Sequence, residues 1–109
     1  MEQTAAVVAQ LVESVEPIYG VTTGFGSLAQ TPIAPGRRME LQRALIRSHA
    51  AGMGPAVEDD TVRAMTLLRA RTLAAGHTGA RFAVVEALVA LLNAGVQVWV
   101  PEHGSLGAS

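Results

Sequence analysis

Length, composition and charge set the first limits on this protein. The sequence has 109 residues, half of them hydrophobic but only 4% aromatic, which is enough for one modest domain of closely packed helices. Its 8 basic and 9 acidic residues provide no cationic face for nucleic acid. Cysteine is absent and every basic residue is arginine, which excludes disulfides, thiolate metal sites, lysine-containing phosphate loops and Schiff-base chemistry. No apolar run approaches the roughly 20 residues that span a bilayer and the N-terminus lacks a signal-peptide pattern, so we expect a soluble cytoplasmic protein.

Two helices are predicted in the first half of the chain. Apolar residues recur at helical spacing in residues 4–15, and Pro17 ends that segment. A second helix is predicted over about residues 37–51, ending near Gly52. On this second helix, polar side chains lie beside the apolar stripe.

Two more helices are predicted in the second half. One begins after Gly54-Pro55, has three acidic residues near its positive N-terminal end, and continues to about residue 75, where a glycine stops it. The other covers about residues 81–93, and its broad apolar arc predicts burial on more than one side. An extended stretch is predicted over residues 96–100. The sequence therefore predicts a mainly α fold.

Two glycine-rich segments interrupt this helical pattern. Residues 19–26, YGVTTGFG, combine three glycines with two β-branched threonines. This composition predicts a fixed loop in which glycines permit positive φ or close backbone approach. The second segment, GSLGAS at residues 104–109, is where the chain stops. Because natural domains rarely end inside such a loop, we expect this chain to be a piece of a longer protein.

Four blocks of the sequence resemble the histidine and phenylalanine ammonia-lyase family, in the family's order and spacing. They are YGVTTGFG at residues 19–26, LQR to RSHAAG within 41–52, TLAAGHTGAR at 72–81 and PEHGSLGAS at 101–109. The resemblance implies the N-terminal helical domain of the aspartase/fumarase-like superfamily, with residues 1–109 as a single partial domain. It also implies homotetrameric full-length relatives, whose active sites combine residues from several subunits.

The resemblance implies a specific chemistry. Elimination of ammonia from an α-amino acid requires an electron sink and a well-placed base. In this family the sink is the methylidene-imidazolone group MIO, which forms from an Ala-Ser-Gly tripeptide. Ala108 and Ser109 match its first two residues, but the glycine is not among the 109 residues, so we expect the chain alone to be inactive. By the same resemblance Tyr19 is the general base and Gly26 belongs to the substrate-binding loop. The alternative for Tyr19 is a loop tyrosine that packs its ring and bonds backbone.

Ser48 and His49 indicate the substrate. In the family these two positions face the substrate side chain, and Ser-His is the histidine-lyase pattern, with His49 bonding the polar ring. The resemblance thus implies elimination of ammonia from L-histidine to give urocanate. Some bacterial tyrosine aminomutases share this pair, so a tyrosine aminomutase or tyrosine ammonia-lyase stays open, as does a non-catalytic helical fragment. His49 by itself also fits a histidine satisfied in the core. The three histidines lack metal-ligand spacing, so we expect no metal site.

Overall fold

The computed structural model describes residues 1–104, and this part of the chain is mainly helical. It contains four α-helices and two short strands: α1 (Glu2–Val12), α2 (Arg38–His49), β1 (Met53–Ala56), α3 (Asp59–Ala74), α4 (Phe82–Asn93) and β2 (Pro101–His103). Two 3-10 turns, Gly26–Leu28 and Pro35–Arg37, lie between α1 and α2. The prediction of a mainly α fold with four helices is confirmed, with the helix ends shifted by a few residues.

The described residues form two compact units. One unit contains Met1–Val8 and Gly52–His103, and therefore α3, α4 and the two strands. The other is built mainly from Ala9–Ala51, which contain the first glycine-rich loop and α2. No helix in residues 1–104 has the length and apolar character needed to cross a membrane.

Helix α1 ends at Val12, three residues before the predicted end at residue 15. The guanidinium of Arg38 donates a hydrogen bond to the Val12 carbonyl, which would otherwise accept from the amide of residue 16 in a continuing helix. That amide instead donates to the Ser14 hydroxyl at 3.1 Å. The helix therefore ends before Pro17. The contacts of the Val12 carbonyl and the Glu16 amide satisfy the backbone groups at its end.

Helices α3 and α4 pack together and contribute the apolar core of their unit. Among the described residues, the buried apolar side chains are Val62, Ala70 and Val85. Gly76 follows α3 with φ of +81°, which confirms the predicted glycine stop. The prediction that α4 is buried on more than one side is wrong for this chain, since Phe82 is 56% exposed and only Val85 of this helix is buried.

Strands β1 and β2 form a small antiparallel sheet that the sequence pattern did not predict. Met53 pairs with His103 and Ala56 pairs with Pro101, with an irregularity in register between them. Gly52 makes this approach possible, because a Cβ there would lie 2.3 Å from Cγ of Pro101. Residues 96–100, predicted to be extended, do not form a regular strand. Strand β2 begins directly after them, at Pro101.

Candidate active site

Two buried threonines hold the first glycine-rich loop together. Thr22 is 4% exposed and Thr23 is 1% exposed. The Thr22 hydroxyl donates to the Glu16 carbonyl at 2.6 Å and accepts from the Ile18 amide at 2.7 Å. The Thr23 hydroxyl accepts from the Gly20 amide at 3.3 Å. Because both hydroxyls are buried with partners, they fix the loop backbone at internal points rather than only at its ends.

The glycines of this loop are required by its backbone and by close packing. Gly20 and Gly26 have φ of +71° and +55°, a region that residues with a side chain rarely adopt. At Gly24 the limit is space, since a Cβ would lie 2.5 Å from Cβ of Leu28. The prediction of a fixed loop with glycines at positive φ or close approach is therefore confirmed.

Tyr19 stands at the start of this loop with its hydroxyl held by the loop's other end. The Gly26 amide donates a hydrogen bond to the Tyr19 hydroxyl oxygen at 3.1 Å. The ring of Phe25 meets the ring of Tyr19 edge-on, with centroids 5.8 Å apart and planes at 84°. Tyr19 is nevertheless 54% exposed. Its hydroxyl is thus positioned by the loop while its ring stays open to a solute.

Ser48 and His49 lie in the last turn of α2, and both are exposed. The Ser48 hydroxyl donates to the Leu45 carbonyl at 2.8 Å. Nδ1 of His49 lies 3.0 Å from the same carbonyl oxygen and 2.9 Å from the Ser48 hydroxyl. Both side chains therefore lie against the Leu45 carbonyl at the end of α2. His49 is on the surface of the chain rather than in its core.

The structure thus brings the expected site residues together in two groups. Tyr19 and Gly26 are hydrogen-bonded within the loop, and Ser48 and His49 share one carbonyl at the end of α2. Ala108 and Ser109 lie outside the described residues.

Sequence reasoning missed Phe25 as a member of the site. A signal was present, because the single tyrosine and one of the two phenylalanines are each followed by a glycine in the same short loop. A repeated aromatic-glycine pair of this kind points to two rings that share a small space, since glycine leaves room for a ring to approach the backbone.

Comparison with known proteins decides the family. The family model described as aromatic amino acid lyase matches residues 1–109. The chain belongs to this family. Among curated lyases it is similar to the histidine ammonia-lyase of Streptomyces griseus, with 52% identity over 103 residues that cover 94% of this chain and 20% of that protein. It is also similar to the histidine ammonia-lyase of an Enterobacter species, with 47% identity across 100% of this chain and 22% of the relative.

Solved structures of lyases and aminomutases share this fold. A ligand-bound tyrosine aminomutase mutant matches with a TM-score of 0.89 and 39% identity, covering 97% of this chain and 20% of that protein. The histidine ammonia-lyase of Trypanosoma cruzi matches with a TM-score of 0.81 and 36% identity, covering 95% of this chain and 20% of that one. The chain therefore corresponds to part of these structures and spans about a fifth of their length.

Proposed function

We propose that this chain supplies the N-terminal part of the active site of a histidine ammonia-lyase, which eliminates ammonia from L-histidine to give urocanate. The single observation that carries this proposal is the exposed Tyr19 hydroxyl held 3.1 Å from the Gly26 amide in the loop of an aromatic amino acid lyase. The curated relatives named histidine ammonia-lyase, at up to 52% identity, favour histidine as the substrate.

Tyr19 is proposed to take the β-proton of the substrate. A general base must come within hydrogen-bond distance of the proton it removes, and its position must not drift during the reaction. The Gly26 amide restrains the Tyr19 oxygen, and the buried hydroxyls of Thr22 and Thr23 restrain the loop that carries both residues. This arrangement supplies part of the restraint that a base requires. Gly26 is proposed to contact the substrate from the same loop.

Ser48 and His49 are proposed to bind the substrate side chain. His49 is proposed to hydrogen-bond a donor group, N–H or O–H, on the substrate side chain through its ring, whose Nδ1 lies 3.0 Å from the Leu45 carbonyl oxygen. The imidazole N–H of histidine and the hydroxyl of a phenolic amino acid are both such donors. Ser48 keeps the His49 ring oriented, because its hydroxyl lies 2.9 Å from Nδ1.

The family's cofactor is proposed to form from Ala108 and Ser109 with a following glycine. Ala and Ser are the residue types from which MIO is made, and β2 ends at His103, shortly before them. When present, MIO supplies the electron sink that makes loss of the amine possible. We also propose that the whole enzyme is a cytoplasmic homotetramer and that residues 1–109 belong to one of its domains.

The test replaces the matching N-terminal segment of the Streptomyces griseus histidine ammonia-lyase with residues 1–109. We expect this chimera to form urocanate from L-histidine, measured by its ultraviolet absorbance. Tyr19→Phe should lower kcat by about a hundredfold or more, because general-base catalysis contributes that much. Thr72→Val, which removes an exposed hydroxyl on α3, is the control and should keep normal turnover. If the chimera is active and its Tyr19→Phe variant turns over equally fast, the assignment of Tyr19 as the general base is wrong.

A second candidate is a tyrosine aminomutase or tyrosine ammonia-lyase that uses the same residues. It is favoured by the tyrosine aminomutase structures, which match this chain with TM-scores of 0.89 and 0.87. L-Histidine and L-tyrosine, supplied separately to the same chimera, distinguish the candidates. Faster release of a conjugated acid from tyrosine would favour the second candidate, and formation of a β-amino acid would identify a mutase.

A further inference from the structure

The loop at residues 19–26 contains two aromatic-glycine pairs that contact each other reciprocally. Tyr19 directs its hydroxyl to the amide of Gly26, the residue after Phe25. The ring of Phe25 lies over Gly20, the residue after Tyr19, where a Cβ would come within 2.7 Å of its Cε1 atom. Each aromatic side chain therefore contacts the glycine that follows the other aromatic residue.

The hydroxyl of Tyr19 needs a second restraint, which the hydrogen bond does not supply. One hydrogen bond fixes the oxygen but leaves the ring able to rotate about the side-chain torsions. Tyr19 is 54% exposed, so burial does not hold the ring either. The T-shaped contact with the Phe25 ring, with centroids 5.8 Å apart and planes at 84°, restrains the plane of the Tyr19 ring.

Phe25 is itself held in place by the backbone. Its ring occupies the space that a side chain at Gly20 would take, and Gly20 has φ of +71°. Phe25 is partly buried, whereas Tyr19 is exposed. The aromatic contact thus joins an exposed ring to a ring that the loop backbone already fixes.

We propose that Phe25 is a positioning residue that holds the Tyr19 hydroxyl against the Gly26 amide. This inference rests on the proposed role of Tyr19 as the base only for its effect on turnover. The placement itself depends on the geometry of the loop and is measured without any reaction.

The first test follows the Gly26 amide resonance by NMR in the isotope-labelled chain. Tyr19→Phe removes the acceptor oxygen. It therefore gives the resonance of the Gly26 amide when that amide has no hydrogen bond to Tyr19. Phe25→Leu should move the Gly26 resonance in the same direction. The amides of Thr22 and Ile33, which are bonded within the loop region at 3.0 and 2.8 Å, should keep their resonances. Phe82→Leu, the same change at the other phenylalanine, is the control and should leave Gly26 unchanged.

Two results would overturn the proposal. One is a Gly26 resonance in Phe25→Leu that equals the wild-type value. The other is an equal displacement of the Thr22 and Ile33 amides, because Phe25 would then hold the whole loop rather than the hydroxyl.

A second variant perturbs the Phe25 ring through the backbone at Gly20. Gly20→Ala places a Cβ against Phe25 without changing either aromatic residue, so it should also move the Gly26 resonance toward the Tyr19→Phe value. Combining Gly20→Ala with Phe25→Leu should give less than the sum of the two shifts, because both act on one contact. Gly95→Ala, at a glycine that also has positive φ (+64°) but open space around it, is the matched control. Additive shifts would contradict a shared contact.

The kinetic test uses the chimera and separates this proposal from the proposed function. Phe25→Leu should lower kcat about tenfold or more and leave KM nearly unchanged, since misplacing a catalytic group by an ångström has effects of that order. If Tyr19→Phe retains turnover, the base assignment fails while the NMR result stands. If Tyr19→Phe is inactive but Phe25→Leu keeps the wild-type kcat, the positioning role fails by itself.

Discussion

The loop at residues 19–26 owes its shape to individual side chains, and Thr23 is the most buried of them. Its side chain is 1% exposed, and its hydroxyl lies 3.3 Å from the Gly20 amide nitrogen and 3.1 Å from the Gly24 carbonyl oxygen. A partly buried amide that loses its partner keeps much of the cost of its lost hydration. The buried hydroxyl of Thr23 therefore connects the backbone of Gly20 with that of Gly24.

Thr23→Val keeps the shape of the side chain and removes this hydroxyl. We expect the free energy of unfolding to fall by about 1–3 kcal/mol, because the Gly20 amide would be left without its buried partner. Urea denaturation followed by circular dichroism measures the change. Thr72→Val, whose exposed hydroxyl bonds only within α3, should cost much less. Equal losses for the two variants would contradict the role given to Thr23.

The sequence could specify the glycine loop but not its partners. YGVTTGFG contains the residue types that positive φ and close approach demand, and Gly20 and Gly26 indeed adopt positive φ. The surroundings of His49 were not predictable, because Nδ1 lies near the Leu45 carbonyl one turn earlier and near the Ser48 hydroxyl. The residue type limits which groups a side chain can bind, whereas the atoms around that side chain are set by the folded chain.

Among the elements, the β1–β2 sheet depends on the close approach of its two strands. Gly52 leaves room for the ring of Pro101, and Gly54, with φ of +90°, lies beneath His103. The pairing continues beyond the strands, since the Val57 amide donates to the Val100 carbonyl at 2.8 Å. This sheet anchors the chain just before Gly104.

Gly52→Ala should disrupt this sheet. Its Cβ would overlap the Pro101 ring at 2.3 Å, and we expect a loss of about 1–3 kcal/mol, as in other overpacked sites. The measurement is hydrogen exchange of the Val57 amide, which should become faster. Gly104→Ala, beside the same strand but with open space around it, should leave that exchange unchanged. Unaltered Val57 exchange in Gly52→Ala would contradict the role given to Gly52, because the sheet would then have accommodated the added Cβ.

At the scale of the whole molecule, many large apolar side chains are exposed among residues 1–104. Among residues 1–104 the buried apolar side chains are few, while large ones such as Ile46 and Leu67 are 71% and 59% exposed. Monomeric proteins rarely expose contiguous apolar surface on a large scale. We therefore expect this chain to associate with copies of itself, in line with the homotetramer proposed for the whole enzyme.

Sedimentation velocity at increasing concentrations tests this expectation. The mean sedimentation coefficient should rise with concentration, and Leu67→Gln should reduce the rise because it lowers the exposed apolar area. Arg69→Gln, on the same helix, changes a polar side chain and is the control. A single monomeric species at every concentration would contradict the expectation.

The sequence alone determined the helical segments, the glycine loop and the family resemblance. These features depend on local rules, namely side-chain spacing along a helix and the backbone angles that glycine permits. Only the tertiary structure decided where α1 ends, which strands pair and how Tyr19 is held. Each of these depends on residues that meet through folding, as Arg38 and Val12 do across 26 positions. A local sequence pattern does not identify such a partner, because many folded arrangements are compatible with the same spacing of apolar residues.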